Sequence, residues 1–124
     1  MAALLGARHF QQTVAGTDAL SVFDRAAAPT DTPPGVGAAL ASGPMRRLVV
    51  LGDTRFYGVR SLVAPGAVCL LAVEDSGTVD EACGSLASFR SRGVGLAGPI
   101  SAGQHVTALR WLPDGRMVWR SPGP

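Results

Sequence analysis

Two cysteines, Cys69 and Cys83, two histidines, His9 and His105, and the acidic residues Glu74, Asp75, Asp80 and Glu81 between the cysteines are the side chains of this sequence best suited to chemistry. A structural zinc site uses about four ligands, commonly in closely spaced pairs. Cysteines separated as Cys69 and Cys83 are, with histidines far from either and from each other, supply no such pair, so no metal site is expected. A thioredoxin-like redox pair requires Cys-x-x-Cys at a helix start, and the spacing excludes it. A cysteine nucleophile needs a histidine partner, but the neighbours of Cys69 in AVCLLAV are those of a buried, inert thiol. The acidic residues lack the alternating oxygen ligands and closing glutamate of a calcium loop, and turn and cap chemistry accounts for them. Two readings of the cysteines remain: a disulfide, or two buried free thiols.

Other motifs lead away from catalysis. GVGLAG at residues 93–98 matches Gly-x-Gly-x-x-Gly, but a dinucleotide fingerprint follows a strand and opens a helix. Here the glycines follow a helical pattern and lead to Pro99, so they read as a helix stop and no nucleotide cofactor is expected. Ser61, Ser85, Ser88 and Ser91 lack a nucleophile-elbow setting. No residue is assigned as catalytic, and the chain reads as a non-enzyme. The net charge of +2 is spread along the sequence, and only Arg46 and Arg47 are adjacent basic residues. Nucleic-acid binding, which calls for a clustered basic surface, is therefore not expected. No apolar run reaches the roughly 18 residues of a membrane helix, and MAALLGAR is too short and lacks the preceding positive region of a signal peptide. Any membrane attachment is expected through a segment absent from this sequence.

With 124 residues, 47% of them hydrophobic, and 16 Gly and 9 Pro, the chain suits one small, turn-rich domain. Residues 1–44 read as an amino-terminal arm and linker. LLGARHFQQTVA at 4–15 has an imperfect helical pattern of Leu4, Leu5, Phe10 and Val14, and AAAPTDTPPGVGAALASGP at 26–44 has no useful period. DALSVFDR between them offers Leu20, Val22 and Phe23 as an anchor onto the body. The single α+β domain is expected over 45–121.

Within it, RRLVVL at 46–51 and RFYGVRSLV at 55–63 flank Gly52 and Asp53 as a hairpin. AVCLLAV at 67–73 is uninterrupted and apolar, as expected of a central strand covered on both faces. Thr78 and Glu81 have the form of a capping box, which predicts a helix over about 79–92 with Val79, Ala82, Cys83, Leu86 and Phe89 facing the sheet and Gly93 ending it. HVTALRWL at 105–112 and RMVWR at 116–120 flank Pro113-Asp114-Gly115 as a closing hairpin. The expected architecture is a small, mainly antiparallel sheet with one packed helix, in the order β-β-β-α-β-β-β. In it Cys69 on the central strand faces Cys83 on the helix, which favours pairing over free thiols. A closed loop of this size restricts the unfolded chain by roughly 3 kcal/mol.

VCLLAV, ACGSLASFRSRGVGL and ALRWLPDGRMVW, with the lead-in LSVFDRAAAPTDTPP, resemble the extracytoplasmic domains of small actinobacterial membrane proteins. The resemblance covers most of residues 18–119. It implies a Cys69 to Cys83 pair and an outward-facing location, and it transfers no active-site residue. Two function classes follow. One is a non-enzymatic extracytoplasmic interaction domain presenting Tyr57, Trp111, Trp119 and nearby arginines to a protein or small ligand. The other is a cytoplasmic small-molecule-binding or regulatory domain with reduced cysteines. Packing of the two tryptophans within the hairpin or core is the competing role for those residues.

Overall fold

A computed structural model of the chain describes residues 7–12, 18–33, 43–61, 66–96, 100–101 and 105–121. The strands it contains are antiparallel and form two sheets, accompanied by one α-helix, so the fold is a small, mainly antiparallel α+β-like one. The first sheet is a meander: β2 (Met45–Leu51), β3 (Thr54–Ser61), β4 (Ala67–Glu74) and β5 (Val79–Ser85) pair in chain order. The second has the order β1 (Ala7–Gln12), β9 (Arg116–Ser121), β8 (His105–Trp111) and β6 (Val94–Leu96), with the short β7 (Ile100–Ser101) also on β8. The two hairpins expected around Gly52-Asp53 and Pro113-Asp114-Gly115 are formed. AVCLLAV is an interior strand buried on both faces.

The expected helix is only half present. Val79–Ser85 is β5, paired with β4 from Val73 opposite Val79 to Ala67 opposite Ser85. The apolar spacing suited a helix, but an unpaired edge on the apolar β4 would leave a row of backbone donors and acceptors without partners. A strand there satisfies them. The Thr78 and Glu81 capping box is not formed; Glu74 to Thr78 closes a hairpin turn instead, with Glu74 N donating to Thr78 O at 2.9 Å. The helix α1 is Leu86–Arg92, and its N-cap is Ser85, whose Oγ accepts from Ser88 N at 3.0 Å. Gly93 ends it as expected, its N–H donating to Phe89 O at 2.7 Å. Only glycine fits there: φ is +75°, and a Cβ would lie 2.1 Å from the carbonyl oxygen of Trp111. With a strand before α1 and β6 and β7 after it, the element order departs from β-β-β-α-β-β-β.

The amino-terminal third is built into the fold wherever it is described. Ala7–Gln12 is not helical but an edge strand, in register with β9 from Ala7 opposite Ser121 to Gln12 opposite Arg116. Local propensity in this segment is weak, and pairing with a distant strand decides its conformation. Leu4, Leu5 and Val14 lie outside the described residues. Ala19–Asp24 is a 3-10 turn capped by Asp18, with Ala19, Leu20 and Val22 buried, so the expected anchor docks. Ala19 N donates to Pro113 O at 2.8 Å, and the Phe23 ring meets Trp111 edge-on at 6.4 Å.

Alternation along the meander sorts its side chains onto two faces. Leu48, Val49, Phe56, Val68, Leu70 and Ala72 share one buried cluster with Phe89, Val94, Leu96, Leu109, Trp111, Met117 and Trp119, which joins the two sheets and the helix. Gly58 makes room for it: a Cβ there would stand 2.6 Å from the Trp111 ring. Met45, Tyr57, Val59, Cys69, Leu71 and Val73 form a second buried cluster on the opposite face.

Candidate functional site

The second face of the meander carries the chemistry. Cys69 and Cys83 form a disulfide, with an S–S distance of 2.06 Å. They sit directly opposite one another on β4 and β5, so the bridge joins two strands and not a strand and a helix. Cys69 is buried and Cys83 exposed. Glu81 lies beside them, and its carboxylate and the two sulfurs come within 4.8 Å of one another. Sulfurs joined in a disulfide have no thiolate to offer a metal, so the group acts here as a covalent staple across the sheet.

On the same face, the segment 25–33 is clamped against β2 and leaves a cleft. Asp31, 2% exposed, is its fastener. Its carboxylate accepts from both terminal nitrogens of Arg25 (2.8 and 2.7 Å), from Ala28 N (2.7 Å) and from Arg47 N on β2 (2.8 Å). The bidentate Arg25 pair, helped by the two backbone donors, holds the Asp31 carboxyl far below the usual carboxylate range despite its burial. Arg46, also buried, reinforces the clamp by donating from Nε (3.2 Å) and Nη2 (2.9 Å) to Arg25 O. The local sequence suits this shape: Pro29 opens the 3-10 turn Pro29–Asp31, where its missing N–H is not needed.

The cleft has a volume of about 590 Å³ and is lined by Pro29, Thr30, Thr32 and Pro33 on the segment and by Arg47, Arg55 and Tyr57 on β2 and β3. Arg47 stands opposite Tyr57 in the strand register. Arg55 is two residues from Tyr57 and therefore on its face, and its half-buried guanidinium has Nη1 3.0 Å from the exposed Asp75. Tyr57 has no solvent exposure, and its hydroxyl is buried without a hydrogen-bond partner. Burial pushes the phenol up from its ordinary value, with Arg55 and Arg47 acting in the opposite sense, so it remains a neutral O–H donor at physiological pH.

Tyr57, Trp111 and Trp119 do not form the exposed surface expected of them. All three are buried, at 0%, 0% and 7% exposure. Tyr57 belongs to the second face, whereas the tryptophans lie in the core between the sheets, their competing role. Nor do the tryptophans oppose one another, since Trp111 pairs with Met117. His9 and His105 stand on β1 and β8. Ser85 caps α1, and Ser88 accepts from Arg92 Nε at 3.3 Å.

The sequence reading missed Thr30, Asp31, Thr32 and Arg47 as a group. The available signal was the coincidence of period two along β3, which puts Arg55 with Tyr57, with an arginine-to-aspartate spacing of six residues in the segment before β2. Compared with family models, curated proteins and solved structures, the chain finds no match, and the reading of this site stands on its own geometry.

Proposed function

We propose that this protein is a non-enzymatic extracytoplasmic binding domain, stapled by the Cys69 to Cys83 disulfide, whose ligand enters the cleft between residues 29–33 and the β2–β3 hairpin. The observation that carries the reading is the cleft itself: a concavity of about 590 Å³, within the usual range for small-ligand sites, at a place where the chain leaves a buried hydroxyl without a partner. A group of that kind is costly in a folded protein and calls for a functional account. The disulfide supports an oxidising compartment, because such bridges persist outside the cytoplasm and are scarce within it. The resemblance to actinobacterial extracytoplasmic domains agrees with that location.

A non-enzymatic role is supported by how the reactive side chains are engaged. The two sulfurs are joined, Ser85 serves as a helix cap, and the cleft offers mainly donors and apolar walls.

The compartment is tested on protein taken from its natural host into acid and alkylating agent without reductant. No alkylatable thiol is expected after denaturation. Two free thiols would move the protein to the cytoplasmic, reduced-cysteine alternative, in which the same cleft serves a small-molecule sensor.

A further inference from the structure

Beyond being a cleft, this site has a charge and donor pattern specific enough to name what it holds. Arg47 and Arg55 line it, Thr30 and Thr32 add hydroxyls to its wall, and Tyr57 lies beneath them. The Arg47 guanidinium has no hydrogen-bond or ion-pair partner among the described residues, its backbone N–H alone being used by Asp31. Arg55 spends one nitrogen on the exposed Asp75, which leaves its other N–H groups available. Of the carboxylates that adjoin the lining, Asp31 is already saturated by Arg25 and two backbone donors, and Asp75 is an exposed one held by Arg55. Pro29, Pro33 and the Tyr57 ring give the rest of the lining an apolar character.

We propose that the cleft is an oxoanion site, taking a small organic carboxylate or phosphate ester whose charged end is held by Arg47, Arg55 and the Tyr57 hydroxyl and whose apolar body lies against Pro29 and Pro33. A guanidinium matches the geometry of either oxoanion, since its N–H groups form a planar fork. The phenol adds a neutral donor in a dry setting, where a hydrogen bond to an anion is strongest. Tyr57 is closed to solvent, so the anion reaches its hydroxyl as the flexible arginine side chains rearrange around the bound group. The orphan hydroxyl is then explained as half of a hydrogen bond completed by ligand.

This inference rests on the cleft being the binding site, and the experiment separates the two. The full chain, with its disulfide intact, is titrated by calorimetry and by amide chemical-shift mapping with benzoate, phenyl phosphate, inorganic phosphate and the neutral benzyl alcohol. Benzoate or phenyl phosphate should bind with shifts at residues 29–33, 47, 55 and 57. The better of the two identifies the source of the oxoanion, inorganic phosphate should be weaker for want of an apolar body, and benzyl alcohol should be weaker by about tenfold or more. Arg47→Gln and Tyr57→Phe should each weaken the better anion about tenfold, the scale of one charge-assisted hydrogen bond, with melting temperatures at or above the parent for Tyr57→Phe. Equal binding of benzyl alcohol at the same residues, or unchanged affinity in both variants, overturns the oxoanion proposal and leaves the cleft as a site for neutral ligands. Anion binding with shifts only at other residues overturns both.

Discussion

The two faces of the meander sheet are built from the same four strands and obey different rules. One face meets the second sheet through Phe56, Val68, Leu70 and Ala72, and the Trp111 ring is wedged so closely that residue 58 can carry no side chain. The other face carries the Cys69 to Cys83 bridge and sets Tyr57 and two arginines along a cleft. Each face has a polar orphan, Trp111 Nε1 on the first and the Tyr57 hydroxyl on the second. The second lines a cleft beside Arg47, whose guanidinium has no partner among the described residues, and beside Arg55, which is paired with Asp75. The lesson is that burial alone does not separate a core from a site. The difference lies in whether the buried polar atom has somewhere to send a hydrogen bond when a ligand arrives.

Substitutions can test the contrast. The largest effect is expected on the packed face, where Gly58→Val should destabilise by about 4 kcal/mol or more, because the indole it would strike is held by both sheets. A variant that melted like the parent in a thermal scan would mean that the first face yields as readily as the second. On the cleft face, replacing both cysteines by alanine should lower stability by about 3 kcal/mol in urea unfolding, the loop constraint of the staple. Asp31→Asn should cost about 2 kcal/mol, since the charge-assisted bonds weaken while the half-exposed Arg25 remains solvated.

Asp31 also gives the cleft face a signature in acid. Its folded-state value lies below the ordinary 3.8, so the unfolded chain takes up a proton first as pH falls. The contribution is complete above pH 3.8 and is lost progressively below it. Urea midpoints measured downward from pH 5 should fall more steeply for the parent than for Asp31→Asn, and parallel curves would remove Asp31 as the fastener. The smallest effect is expected at Tyr57. Without ligand, Tyr57→Phe should leave stability unchanged or raise it by up to about 1 kcal/mol, because it deletes an unsatisfied hydroxyl. A loss of 2 kcal/mol or more would show that the hydroxyl already has a partner.

Local chemistry made the hairpins and the interior strand legible in the sequence. Gly52-Asp53 and Pro113-Asp114-Gly115 are turns by residue type, and AVCLLAV can be apolar throughout only if both faces are covered. The segment 79–85 was not legible, because VDEACGS serves a helix face and a strand face about equally and the free edge of β4 decides between them. β1 was hidden for the same reason, its partner β9 lying at the far end of the sequence. The cysteine pair was found on the wrong pair of elements: its proximity survives the change from helix to strand because residues 69 and 83 are opposite in the β4–β5 register. Of the cleft, Tyr57 was singled out as an exposed residue, and its wall was read as linker. Proline-rich sequence is equally consistent with a mobile tether and with a rigid wall, and the buried Asp31 clamp makes it the latter.

That wall has a mechanical consequence. Residues 18–33 lie in the chain between β1 of one sheet and β2 of the other, and they are tied to both: Ala19 to the β8–β9 turn, and Asp31 and Arg46 at β2. The segment is thus a strap joined to both sheets. A molecule held in the cleft would touch the strap and the β2–β3 hairpin at once, and so add to the ties that fasten the strap. Occupancy of a small site on one face would in this way stiffen the strap itself, a property that hydrogen exchange along residues 18–33 would register.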